Sequence, residues 1–126
     1  LTGIAFRGML MDANYNHDTD SRYVNQISGN EWDGTGYTRQ DVTGMTWTYD
    51  AAADKFRHTF SNVDFGSPGS GTHQITGMII YMQTGGNDST ENDDSIYAYV
   101  EIANRPGDGT PVIVQAPSTG IFTVAA

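Results

Sequence analysis

The sequence contains no cysteine, which excludes disulfide bonds and cysteine-ligated metal or redox sites. Basic residues are also scarce, with six Lys or Arg against 15 Asp or Glu, so the formal net charge is −9. Because nucleic-acid backbones and anionic membranes attract clustered basic residues, we expect neither as a partner. No apolar run approaches the roughly 20 residues of a membrane-spanning helix.

The abundant residues are those typical of β-structure. The chain has 15 Gly, and aromatic residues make up 11% of it, mostly as seven Tyr and five Phe. Glycine favours turns, and aromatic side chains pack well on pleated surfaces. Charged residues account for 17% of the chain, too few for a charge-swollen disordered segment. Since single domains commonly have about 100–200 residues, we expect residues 1–126 to form one domain.

Alternation of apolar and polar residues predicts a β-hairpin near the middle of the chain. In Met45–Tyr49 and in Lys55–Phe60, mostly aromatic residues occupy one face, while Thr, Lys and Arg occupy the other. This period of two indicates strands with one buried face. The intervening Asp50–Asp54 is short enough to close a hairpin, although its alanines also allow a single helical turn.

Similar patterns predict further strands and one helix. The strand candidates are Ala5–Ala13, Ile75–Thr84, Ser95–Ile102, Pro111–Ala116 and Gly120–Ala126. Asp20 can cap a short helix in which Tyr23, Val24 and Ile27 share one side, and Gly29 is placed to end it. The predicted fold is therefore all-β: a single β-sandwich or jelly-roll-like barrel with one short helix near residues 20–28.

The segment from Met78 to Met82 has no polar face, so we expect it to be covered on both sides. The covering surface is either the rest of the domain or a neighbouring chain. In the next predicted strand, Ser95–Ile102, alternation places Tyr97 and Tyr99 on the non-core face, and tyrosine is favoured at protein interfaces. We therefore predict a partner-contact surface, with the chain's own second layer as the alternative. Its residues are Met78, Ile80, Met82, Tyr97 and Tyr99.

Several polar clusters raise the question of a metal or catalytic site. The acidic loop from Gly85 to Asp94 contains four carboxylates that suit Ca²⁺, but it lacks the twelve-residue calcium-loop pattern, which favours a solvated hairpin tip. The segment from His17 to Asp20 could serve metal binding or acid–base chemistry, but no second cluster has a recognisable ligand spacing. This favours a polar loop that leads into a helix, whose N-terminus attracts negative charge. We predict neither a metal nor a cofactor.

Nucleophilic and phosphate-binding motifs are also missing. His58 and His73 stand without a recognisable nucleophile motif. The glycine-rich segment Gly66–Gly71 lacks the Lys-Ser/Thr of a phosphate-binding loop, which favours a flexible loop. We therefore predict no catalytic residues and no enzymatic activity.

Read in order, the segments resemble a family of tailed-bacteriophage virion structural proteins. The matching segments are Arg7–Tyr15, His17-Asp18, Tyr23-Val24, Gly34–Arg39, Val63–Phe65, Ile79–Tyr81, Ile96–Ile102 and Gly120–Ala125. They cover nearly the whole chain, and the Gly-Thr-Gly-Tyr-Thr element at Gly34–Thr38 is the most specific of them. Trp32-Asp33, where smaller residues are common, and a longer acidic loop depart from the family pattern.

The resemblance implies a non-enzymatic protein of the virion, often a capsid decoration or cement protein. Such a protein is made in the host bacterial cytoplasm, binds the major capsid protein on the outer capsid surface and stabilises the shell. The resemblance carries no catalytic residues. A homo-oligomer is expected, and a trimer is plausible around local symmetry axes. The net charge of −9 would keep free copies apart before assembly.

Two other functions remain open from the sequence. A tail or fibre module that binds a host-surface glycan or protein would be favoured by an exposed groove lined by Trp32, Tyr37 and acidic side chains. A hydrolase of bacterial surface polymers would need paired carboxylates at roughly 5–9.5 Å in a cleft.

Overall fold

The computed structural model describes residues 5–17, 20–83, 94–117 and 122–125, the last of these for the backbone only. The described chain is mostly β-structure and contains no helix of seven residues or more. Its strands are β1 (Ala5–Asp12), β2 (Gln40–Val42), β3 (Thr46–Asp50), β4 (Lys55–Thr59), β5 (Val63–Asp64), β6 (Ile75–Gln83), β7 (Ser95–Arg105), β8 (Ile113–Val114) and β9 (Phe122–Ala125). The prediction of a β-rich fold is confirmed.

The strands form three antiparallel sheets. The largest has the order β2-β1-β6-β7, with β2 and β7 at its edges. A second sheet has the order β3-β4-β9, and β5 pairs with β8 in the third. All strand pairs are antiparallel. The C-terminal strand therefore joins the hairpin sheet, where Val124 lies opposite Phe56 in the register.

The position of β6 explains why its sequence has no polar face. It pairs with β1 on one side and with β7 on the other. Met78 and Ile80 point into one hydrophobic cluster, whereas Ile79 and Tyr81 point into another, and all four side chains are fully buried. The chain itself therefore covers both faces of this strand, which is the first of the two predicted alternatives.

The two hydrophobic clusters lie on opposite faces of the four-stranded sheet. The first cluster also receives buried residues from outside this sheet, namely Trp32, Phe60, Val63, Phe65, Val112 and Val114. The second is closed by Tyr15, Val24 and Ile27, which precede β2 in the chain. Full burial of one such aliphatic side chain contributes about 1.5–3 kcal/mol, so both faces of the sheet contribute to stability.

The predicted helix near residues 20–28 is replaced by two short 3₁₀ helices, Val24–Gln26 and Ser28–Asn30. The backbone before them bonds to the start of β7 instead. Val24 N–H donates to the carbonyl of Asp94 at 3.0 Å, and Ile96 N–H donates to that of Arg22 at 2.8 Å. Because these bonds hold Arg22 and its neighbours extended, an α-helix starting at Asp20 cannot form.

The predicted central hairpin is confirmed. β3 and β4 pair from Thr46 opposite Thr59 to Asp50 opposite Lys55, and residues 51–54 form the turn. The Asp50 carboxylate accepts hydrogen bonds from the backbone N–H groups of Ala52 and Ala53 at 3.0 and 3.2 Å. These bonds satisfy donors that the ladder leaves open, which favours a turn over continued strand.

Candidate functional site

The outer part of the β3–β4 hairpin carries an exposed aromatic surface. Trp47, Tyr49 and Phe56 expose 47%, 50% and 41% of their surface, respectively. Trp47 lies opposite His58 and Tyr49 opposite Phe56, so all four side chains share one side of the hairpin. The Tyr49 and Phe56 rings are 5.3 Å apart between centroids. We call the surface of Trp47, Tyr49 and Phe56 the aromatic face.

The inner part of the same hairpin is anchored in the protein. His58 is buried, its ring lies 4.7 Å from that of Trp47, and its Nε2 is 3.0 Å from the hydroxyl of Tyr97 on β7. Phe60, just after β4, belongs to the first hydrophobic cluster. The expectation of one buried hairpin face is therefore correct near Phe60 but wrong for the aromatic face, whose three side chains remain 41–50% exposed.

Charged groups divide unequally between the two sides of the hairpin. Strand alternation places Lys55, Arg57 and Asp50 on the side opposite the aromatic face. There, Arg57 Nη2 lies 2.6 Å from the Asp50 carboxylate, and the hydrogen bond from Arg57 lowers the pKa of Asp50 below its ordinary value. On the aromatic side, the Tyr49 hydroxyl donates to Asp54 Oδ1 at 2.8 Å. The aromatic face is thus bordered by a carboxylate.

A second polar cluster surrounds Glu31, next to β1. Its carboxylate accepts hydrogen bonds from the Tyr37 hydroxyl at 2.6 Å and from Arg39 Nε and Nη2 at 2.9 and 2.8 Å. The Tyr37 oxygen in turn accepts the Leu10 N–H at 2.9 Å. Burial, reinforced by the Glu31 charge, raises the pKa of Tyr37 far above its ordinary value. Tyr37 therefore stays protonated, donates to Glu31 and accepts from Leu10 of β1, which holds the segment before β2 against β1.

An open depression of about 550 Å³ lies over this cluster. Its lining residues are Arg7, Ser28, Glu31, Trp32, Asp33, Tyr37, Thr38 and Arg39. The groove that would favour a tail or fibre module is therefore present in outline. However, Trp32 is only 1% exposed, and its indole N–H donates to the carbonyl of His73 at 2.8 Å. Trp32 therefore offers no ring face to a ligand.

The predicted partner-contact residues lie on both sides of the four-stranded sheet. Met78 and Ile80 are fully buried in the first cluster, where they pack against the core of their own chain. Met82, Tyr97 and Tyr99 are partly buried. An apolar strand in the centre of a sheet has the same sequence pattern as one covered by another chain, so the pattern alone does not separate the two.

The two predicted tyrosines make contacts within the chain. The Tyr97 ring meets that of Phe6 edge to face, with 5.0 Å between centroids. Tyr99 packs against Tyr15 at 5.3 Å and stacks on His17 at 5.0 Å. Both rings therefore help to cover their own sheet, as the alternative interpretation of the sequence proposed.

The polar clusters considered as metal sites fall partly outside the described residues. Positions 18–19 and 84–93, which include most of the predicted acidic loop, are not among them. The histidines that are described have side-chain neighbours: His17 Nδ1 is 2.9 Å from the Tyr15 hydroxyl, and His73 Nε2 is 3.1 Å from Asn14 Nδ2. Within the described part of the chain, no group of three or more His, Asp or Glu is arranged to hold a metal ion.

Comparison with known proteins leaves the site to be interpreted from its own geometry. No family model matches the chain, and neither a curated protein nor a solved structure matches it. In the described ranges, no helix has the length and apolar character needed to cross a membrane. The aromatic face is the feature that sequence patterns did not single out, since alternation shows which residues share a face but not whether that face is covered.

Proposed function

We propose that the chain is a non-enzymatic virion structural protein of a tailed bacteriophage, namely a capsid decoration or cement protein. It would bind the major capsid protein on the outer capsid surface and stabilise the shell. The observation that carries this proposal is the exposed aromatic face. Trp and Tyr are enriched at the centres of protein interfaces, where they provide large and rigid contact areas.

The geometry of the hairpin supports attachment through this face. Trp47, Tyr49 and Phe56 stand side by side on two hydrogen-bonded strands, and the His58–Tyr97 contact fixes the base of the hairpin to the main sheet. A surface that is rigid before binding loses little conformational entropy on docking. The aromatic face therefore suits a permanent contact with a large, repetitive partner.

The resemblance to virion structural proteins supports the same proposal. Two of its segments coincide with ordered elements, since Ile79–Tyr81 lies in β6 and Ile96–Ile102 lies in β7. Its most specific element, Gly34–Thr38, contains Tyr37, whose hydroxyl links Glu31 to β1. These segments occupy positions on which the fold depends.

For the fold, we propose a β-sandwich. Residues of the four-stranded sheet and residues of the β5–β8 pair meet in the first hydrophobic cluster, for example Met78 with Val63 and Val114. Such sharing of one core by two sheets is typical of sandwiches. The β3–β4 hairpin would then extend from one end of this sandwich.

We also propose that the protein acts as a homo-oligomer on the capsid, with the trimer as the expected state. Many identical weak contacts add through multivalency, so a modest affinity of each aromatic face is sufficient for stable attachment. The formal charge of −9 would keep unassembled copies apart.

Copy number and capsid stability test the proposed function. Quantitative gel densitometry of purified virions should give a copy number comparable with that of the major capsid protein. Virions that lack the chain should release their DNA at a lower temperature than complete virions. A copy number typical of tail proteins would contradict the proposal and favour the tail or fibre module, and an unchanged release temperature would contradict the cement role.

A further inference from the structure

We propose that the aromatic face docks onto a protein surface that presents Arg or Lys side chains. This inference rests on the proposed function and specifies the chemistry of the capsid surface that the face would contact. It concerns the three residues Trp47, Tyr49 and Phe56, together with the neighbouring carboxylate of Asp54.

The rings themselves favour a cationic partner. The face of an aromatic ring carries partial negative charge, so it attracts ammonium and guanidinium groups, and Trp does so most strongly. Trp47 leaves nearly half of its surface exposed. An Arg side chain of a partner can therefore stack on its indole and also bury apolar area, which an acidic or amide side chain cannot match.

The distribution of charge around the rings favours the same partner. Asp54 accepts the Tyr49 hydroxyl at the edge of the aromatic face, which places one carboxylate beside the rings. The two basic residues of the hairpin, Lys55 and Arg57, lie on its opposite side. A partner cation thus meets an attractive carboxylate, and neither hairpin cation opposes it on the same side.

A second copy of the chain fits this face less well. Its own aromatic face carries a carboxylate rather than a cation, so two such faces would bring like charges together. Three of the six basic residues, Arg7, Arg39 and Arg57, already form ion pairs with carboxylates of the same chain. With −9 on each copy, long-range repulsion also opposes self-association at low ionic strength.

The test compares two substitutions at the same position, Trp47→Lys and Trp47→Glu. Both remove the indole, but they place opposite charges on the aromatic face. Binding is measured by co-sedimentation with virions from which the chain has been stripped. If the partner surface is cationic, we expect the Lys variant to bind about tenfold more weakly than the Glu variant, because like charges across an interface are strongly unfavourable.

Matched controls separate this local effect from the change in net charge. Ile113 on β8 is also 47% exposed but lies in a different sheet. Ile113→Lys and Ile113→Glu change the net charge by the same amounts as the corresponding Trp47 substitutions. We expect the affinities of the two Ile113 variants to differ by less than about threefold, because exposed charges are screened beyond a Debye length. Thermal unfolding of all four variants confirms that each is folded. Equal binding of the two Trp47 variants, or weaker binding of the Glu variant, would overturn the proposal.

A second probe distinguishes this inference from the proposed function. The unmodified chain is titrated with a peptide of alternating Arg and Gly and with its citrulline counterpart, and the two indole N–H signals are followed by NMR. We expect the Trp47 signal alone to move, and only with the Arg peptide. If this occurs although stripped virions do not bind the chain, the result supports the proposed docking chemistry and contradicts the proposed capsid function. An equal response to both peptides, or self-association abolished by Trp47→Glu, would overturn the docking proposal itself.

Discussion

The imidazole Nε2 of His58 lies 3.0 Å from the hydroxyl of Tyr97, and this contact joins the hairpin to the main sheet. His58 belongs to β4, whereas Tyr97 belongs to β7 at the edge of the four-stranded sheet. The two rings also meet edge to face, with 5.9 Å between centroids. The orientation of the aromatic face therefore depends on a polar contact at the base of the hairpin.

Removal of this contact should loosen the hairpin. We expect Tyr97→Phe to lower the free energy of unfolding by about 1 kcal/mol, the usual cost of losing one partly buried hydrogen bond. Urea denaturation measures the change. Tyr49→Phe is the matched control, because its hydroxyl bonds to Asp54 at an exposed position and should matter less. Equal effects of the two substitutions would show that the His58–Tyr97 contact does not anchor the hairpin.

The Glu31–Arg39 pair should be more sensitive to neutralisation than the Arg7–Asp41 pair. Glu31→Gln removes the carboxylate charge that Arg39, which is largely buried, contacts through two nitrogens, and it weakens the bond from Tyr37. We therefore expect a loss of about 2 kcal/mol or more. Asp41→Asn removes the partner of Arg7, but the Asp41 side chain is 69% exposed, and its loss should cost less than about 1 kcal/mol. Urea denaturation at neutral pH ranks the two variants, and the reverse order would contradict this account.

Stability should fall at alkaline pH because of Tyr37. Burial and the Glu31 charge raise the pKa of Tyr37 in the folded protein, whereas in the unfolded chain tyrosine ionises near pH 10. The unfolded chain therefore loses its proton first, and the stabilisation present below about pH 10 is lost as the pH rises above it. The pKa values of Tyr49 and Tyr99 are raised in the same direction.

The Tyr37→Phe variant isolates this contribution. Its free energy of unfolding should decline less steeply between about pH 9 and pH 11 than that of the unmodified chain. Urea denaturation at several pH values measures both slopes. Identical slopes would show that Tyr37 does not ionise differently in the two states.

Substitution of Gly34 should disturb the packing of Trp32. A β-carbon at Gly34 would overlap the indole ring, and Gly107 lies against the same ring system. We expect Gly34→Ala to destabilise the protein by about 1–3 kcal/mol, as is usual for overpacking a buried site. Gly29→Ala is the control, because a β-carbon there meets no atom within 4 Å. Thermal unfolding compares the two, and a stable Gly34→Ala variant would contradict the packing described.

The sequence predicted the pairing of strands better than their exposure. Alternation in Met45–Phe60 correctly predicted the hairpin and its turn, because the period of two reflects the strand backbone itself. It could not show that Trp47 and Tyr49 remain exposed, since alternation assigns residues to a face but does not show whether another part of the fold covers that face. The candidate site was therefore missed although each of its residues was assigned to the correct strand.

Long-range contacts explain the other differences. Val24 and Ile27 have helical spacing, but backbone bonds from residues 22–24 to β7 favoured two 3₁₀ helices. β7 continues to Arg105, three residues past its predicted end, where Arg105 pairs with Ile75. Conversely, the apolar run around Met78 correctly indicated a strand covered on both sides, and only the identity of the covering surface was left open.

The two tryptophans of this chain occupy opposite environments, and this gives the protein two natural optical reporters. Trp32 is enclosed by the core and bonded through its indole nitrogen, whereas Trp47 on the hairpin leaves nearly half of its surface exposed. Emission from Trp32 will therefore follow global unfolding, and quenching by acrylamide will follow the accessibility of Trp47. In a Trp47→Phe variant, the fluorescence of Trp32 alone reports loss of the fold. In a Trp32→Phe variant, the fluorescence of Trp47 alone reports binding of a partner, and neither measurement needs an attached dye.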